Sequence, residues 1–179
     1  MKSLFFLAAL VFPWSALGQD QKAAREPTLK TILLQQLRST HNQAEWFVPA
    51  RTAVDGLTAE QASWTDKKGN HSVGQLAAHL IYWNQRNLAR FRGEAVSKFN
   101  NNDETFTSFD SKQWDATVKQ LDEVMTAWER EVEAADEQKL RSWYLTIARI
   151  GAHNAYHIGQ MIYVRKEQGC WDPEKGVKE

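Results

Sequence analysis

A chain of 179 residues with 42% hydrophobic residues and eight tryptophans carries enough apolar area for one packed domain. Its 22 basic and 22 acidic side chains cancel, which argues against nucleic acid or an anionic membrane as the main partner. Cys170 is the single cysteine, so no intramolecular disulfide can form, and stability must rest on packing or on a metal.

The first element is a leader. Lys2, the apolar run over residues 4–12 and the small residues Ala16 and Gly18 at minus three and minus one predict a signal peptide over residues 1–18, cleaved after Gly18. The run is too short to anchor in a bilayer. The expected mature protein is a single domain over residues 19–179, secreted or periplasmic, with no stable membrane anchor after cleavage.

The mature chain reads as helical throughout. Over residues 28–56, Leu29, Ile32, Leu33, Leu37, Trp46, Phe47 and Val54, with Leu57 just beyond, mark the first helix; Pro49 should kink or divide it, because proline lacks a donor and clashes with the preceding turn. Residues 58–71 are polar and read as a loop. The second helix opens with Ser72-Val73-Gly74-Gln75, a capping box, buries Val73, Leu76, Leu80, Trp83 and Leu88, and ends at Gly93. Residues 93–110 form a long polar connection that can cover one end of a bundle as a lid. Over residues 111–135, Trp114, Val118, Leu121, Met125, Trp128 and Val132 recur at alternating spacings of four and three, a packing seam. The last helix, residues 137–168, carries Leu140, Tyr144, Ile147, Ile150, Ile158 and Ile162 and is capped by Gly169. No strand alternation persists, so the fold class is all-α: a four-helix bundle with two longer connections.

Three histidines carry the chemistry. His153 and His157, four residues apart, share one face of the last helix and can bind one metal ion while His79 reaches in from a facing helix. Three imidazoles with no obvious fourth protein ligand describe an open site, completed by water or substrate. Affinity for the ion is expected to fall as pH drops through roughly 6 to 7, where free histidine protonates. Gln160 lies on the same face, either orienting a ligand or bonding between helices. Gly159 either lets helices approach or keeps the site uncrowded. His41 is a candidate fourth ligand or base, against the reading of a partly exposed side chain; His71, just before the helix start, reads as a surface or capping-region residue. Arg86, seven residues after His79, could attract an anionic group or sit in a salt bridge. Trp83 and Tyr82 are candidate pocket walls or packing residues. Cys170 reads as an incidental thiol.

The stretches GLTAEQASWTDKKGNHSVGQLAAHLIYWNQRNLARFRGE and GAHNAYHIGQMIYVRKEQG resemble the DinB-like family of four-helix bundles, also called YfiT-like metal-dependent hydrolases. The matching positions are His79-Leu80, then His153, His157, Gly159, Gln160 and Arg165, and the resemblance runs from about residue 37 to 169. It implies a three-histidine site for a divalent metal, zinc or nickel, at one end of the bundle. It also implies two chemistries on a small-molecule substrate: hydrolysis with metal-bound water as nucleophile, or transfer to a low-molecular-weight thiol. Predicted export disfavours the thiol reaction, since reduced thiols are kept inside cells. A non-catalytic metal- or small-ligand-binding bundle is the alternative outside enzymology. An exposed bundle face leaves a homodimer open. There is no phosphate-binding glycine loop, nucleophile elbow, protease H-E-x-x-H helix or basic stripe.

Overall fold

The computed structural model describes residues 26–107 and 109–177, so the expected signal peptide, residues 1–18, lies outside the described residues. Among those described there are seven α-helices and no strand: α1 (Leu29–His41), α2 (Ala50–Val54), α3 (Ala59–Ser63), α4 (Val73–Arg92), α5 (Glu104–Thr107), α6 (Trp114–Ala134) and α7 (Glu137–Gln168). The four long ones form the bundle. α1 packs against α6 and α7, and α4 packs against the same two, so α1 and α4 occupy one diagonal.

Local sequence explains where these helices begin and end. Ser72 accepts from the backbone of Gln75 while the Gln75 amide oxygen accepts from the Ser72 backbone, closing the expected capping box of α4. Gly93 and Gly169 adopt φ of 83° and 75°, the left-handed conformation that terminates α4 and α7 at little cost for glycine. Pro49 divides the first helical segment instead of kinking it: α1 stops at His41 and α2 restarts after Pro49 as its N-cap. The residues between are irregular, so Trp46, expected in the buried stripe, is 96% exposed.

Trp128, Leu80, Ile147, Val132 and Met161 are fully buried in one continuous core. Trp128 donates its indole N–H to the Asn84 carbonyl. The Asn84 side chain, also buried, donates to the Leu80 carbonyl and to Asn154 Oδ1, both at 2.8 Å. That pair ties α4 to α7, which run antiparallel: Asn84 meets Asn154 near the middle and Phe91 meets Trp143 further along. The polar connections are more structured than loops. Residues 58–71 contain α3, and residues 93–110 contain α5, which packs on α4. No helix among the described residues is long and apolar enough to cross a membrane.

Candidate metal centre

His79 comes from α4, and His153 and His157 from α7, one turn apart. Antiparallel packing brings them together. His153 Nε2 lies 3.1 Å from His79 Nε2 and 3.1 Å from His157 Nε2, and the three residues can each offer one ligand atom within 4.8 Å of the others. His79 and His157 are buried, and His153 is half-buried.

The outer ring nitrogens define the tautomers. The Thr105 hydroxyl donates to the Asn102 carbonyl at 2.6 Å, which leaves its oxygen to accept from His79 Nδ1–H at 2.5 Å. The Gln160 amide oxygen accepts from His157 Nδ1–H at 2.6 Å, and its NH₂ faces the Tyr156 hydroxyl. With a proton on each Nδ1, His79 and His157 both turn an Nε2 lone pair toward His153 Nε2. One proton on His153 cannot satisfy both lone pairs at full strength, whereas a cation accepts all three donors. Nitrogens about 3.3 Å apart are what tetrahedral coordination at ~2.0 Å requires. The donor set therefore fits a divalent metal.

Burial reinforces the neutral state. Desolvation first, then the neighbouring imidazoles, push His79 down to about 3 and His153 to about 4. His157 is also lowered, chiefly by burial, against the opposing hydrogen bond to Gln160. Protonation of His79 and His153 thus lies below the window of 6 to 7 expected from free histidine, and that of His157 is shifted in the same direction.

A cleft of about 770 Å³ between α4 and α7 opens on the triad, with Trp83, Phe106, Ile150 and Tyr156 among its walls. α5 closes the other side. Phe106 stacks on the His79 ring at 3.9 Å, and His71 stacks on the opposite face of Phe106 at 3.8 Å. Thr105, Phe106 and Asn102 were missed by sequence reasoning; only the length of the connection hinted at them. Asn102 also accepts from the Trp83 indole at 3.3 Å, pinning α5 to the cleft wall.

The remaining candidates separate. Gln160 sits against His157 as an orienting partner, and Trp83 lines the cleft. His41 does not join the triad. It is buried against α6, with Nδ1 2.6 Å from Glu129 and Nε2 3.0 Å from Asp122, so carboxylates occupy both nitrogens. It borders a separate cavity of about 350 Å³. Arg86 lies outside the cleft, 5.8 Å from the Phe99 ring, and makes no salt bridge among the described residues. Tyr82 packs against Trp83 and Phe99 rather than the cleft. A Cβ on Gly159 would meet nothing within 4 Å, so helix approach is not its role; Gly151 holds that role, pressed against Gln36 of α1. Arg165 is buried and donates to the carbonyls of Thr52, Ala53 and Asp55, satisfying the end of α2. Cys170 is a free half-buried thiol that donates to Gln168.

The class defined by these features is a helical bundle with an open three-histidine centre between two antiparallel helices. The chain belongs to the DinB superfamily, whose family model matches residues 49–161. That span includes the triad and Gln160 and excludes His41 and Arg165. No curated protein and no solved structure matches the chain.

Proposed function

We propose that this chain is an exported metal-dependent hydrolase of small molecules, with His79, His153 and His157 holding zinc or nickel. The observation that carries the reading is the convergence of three Nε2 atoms at the head of a cleft, with no fourth histidine, cysteine or carboxylate joining them among the described residues. Imidazole donors suit both zinc and nickel. A divalent ion held there supplies Lewis acidity, which polarises a substrate oxygen and eases deprotonation of water.

The chain's own residues set the stage for that chemistry. Thr105 and Gln160 keep the protons of His79 and His157 on Nδ1, so that both Nε2 atoms face inward as donors. Phe106 covers the face of His79 and excludes water from that side. Trp83 and Tyr156 present apolar walls along which a substrate is oriented. Export rests on residues 1–18 reading as a signal peptide.

One observation favours a non-catalytic ligand-binding bundle as the second reading: among the described residues no carboxylate lines the cleft to relay a proton. Both readings are tested on residues 19–179 purified without a histidine tag, beside His153→Ala. The hydrolase reading expects about one zinc or nickel per chain by elemental analysis, lost in the variant, and turnover of ester, amide or lactone substrates that follows metal content. Metal without turnover across such a panel would leave the binding reading standing. A wild-type protein that stays empty after dialysis against zinc and nickel would end the metal-based reading and leave the histidines as packing or hydrogen-bonding residues of a ligand-binding bundle.

A further inference from the structure

The cleft is electrically one-sided. Among the described residues its charged walls are Arg90 of α4 and Arg149 of α7, with no aspartate or glutamate. Arg38, Arg92 and Arg141 each pair with a glutamate, but neither Arg90 nor Arg149 has a carboxylate partner among the described residues. Both are exposed at the cleft. Two unneutralised guanidiniums on facing helices raise the local potential for an anion, most of all beside low-dielectric walls such as Trp83 and Ile150.

Their positions carry a length. Because α4 and α7 run antiparallel, moving up α4 from His79 and down α7 from His153 leads in the same direction. Arg149 lies one turn from His153, about 6 Å along the axis, and Arg90 lies eleven residues from His79, about 16 Å. Arginine side chains are long and flexible enough for both heads to reach the middle of that range. Asn84, between them, is committed to Leu80 and Asn154, so the floor of the cleft offers its polar groups to the bundle.

Building on the metal-dependent reading above, we infer that the cleft takes elongated monocarboxylates, with the acid held by Arg90 and Arg149 and the reacting group at the triad, on the order of 10 Å away. A planar guanidinium matches a carboxylate through paired N–H donors. Phosphate is the poorer match, because Arg90 and Arg149 lie within α4 and α7, whose backbone N–H groups at these positions are spent inside the helices.

The test uses metal-chelating probes on zinc-loaded protein, with zinc content measured on each sample. Suberic acid monohydroxamate places a carboxylate at the far end of a chain from a metal-binding hydroxamate, and its methyl ester removes only the charge. By calorimetry the acid is expected to bind about fivefold to tenfold tighter than the ester, with the gap closing at high salt and in Arg90→Gln/Arg149→Gln. Succinic acid monohydroxamate, too short to span the distance, should show no such gap. Equal affinities of the long acid and its ester on zinc-replete protein would overturn the carboxylate assignment and leave the metal site intact. A phosphonate in place of the carboxylate that bound more tightly would also overturn it. Wild-type protein that takes up no zinc would sink the metal reading, and this inference with it.

Discussion

Thr105 shows how much of a metal site resides in atoms that never touch the metal. Its oxygen fixes the proton of His79 on Nδ1, and so decides whether Nε2 is a donor or a blocked nitrogen. Thr105→Val keeps the shape and removes the acceptor. Outer partners of this kind are worth about 10–100-fold in metal affinity, so competition with a chromophoric chelator should show a loss of that order while far-ultraviolet circular dichroism is unchanged. An unchanged affinity would show that burial alone sets the tautomer. The triad also fixes a pH dependence. His79 and His153 are held neutral down to about 3 and about 4, whereas in the unfolded chain each protonates near 6.5. Between those limits the unfolded state binds more protons than the native one, so stability of the metal-free protein falls as pH drops below about 6.5 and is flat above it. Urea midpoints of metal-free protein should therefore agree at pH 7 and 8 and decline at 6 and 5. In His79→Ala/His153→Ala the decline should be shallower.

At the scale of the helix, legibility follows from whether a signal is local. Capping boxes, the left-handed glycines and the i, i+4 histidines involve residues a few positions apart, and α4 and α7 end where Gly93 and Gly169 said they would. Angular phase was misread once. At about 100° per residue, Trp83, Asn87 and Arg90 fall to one side of His79 and face the cleft, while Arg86 falls about 20° to the other and meets Phe99. The contributions of α5 were illegible because they come from a stretch with no hydrophobic period: what makes Thr105 and Phe106 functional is a fold that returns residues 104–107 over His79, twenty-five residues after it. His41 went astray for a related reason, since its carboxylate partners are more than eighty residues distant. Two glycines of α7 turn this into a measurement. Gly159 faces open space, so Gly159→Ala should stabilise by about 0.5–1 kcal/mol through helix propensity alone. In Gly151 the new methyl would sit 2.8 Å from the Gln36 side chain, so Gly151→Ala should gain less or lose stability. Denaturant midpoints of the two variants should move apart; parallel shifts would mean that α1 yields freely.

For the whole molecule, the question is whether the metal builds the bundle or is built by it. The core around Trp128, Leu80 and Ile147 is continuous and apolar, and the Asn84–Asn154 pair already joins α4 to α7 without any ion. The fold is thus expected to stand without metal, unlike a small domain that zinc alone holds together. Binding still stabilises, because an ion that prefers the native state adds RT ln(1 + [L]/Kd), about 2.7 kcal/mol at a hundredfold excess over Kd. For a chain of this size that corresponds to a rise of roughly 5–10 °C in melting temperature. Chelation should lower the midpoint of loaded protein by that amount and leave a cooperative transition with full helicity, and His153→Ala should melt at one temperature with or without zinc. A chelated protein that lost its helices would reverse the order of causes and make the triad a structural staple. A melting temperature indifferent to zinc in the wild type would mean that three lone pairs converge for some purpose other than holding an ion.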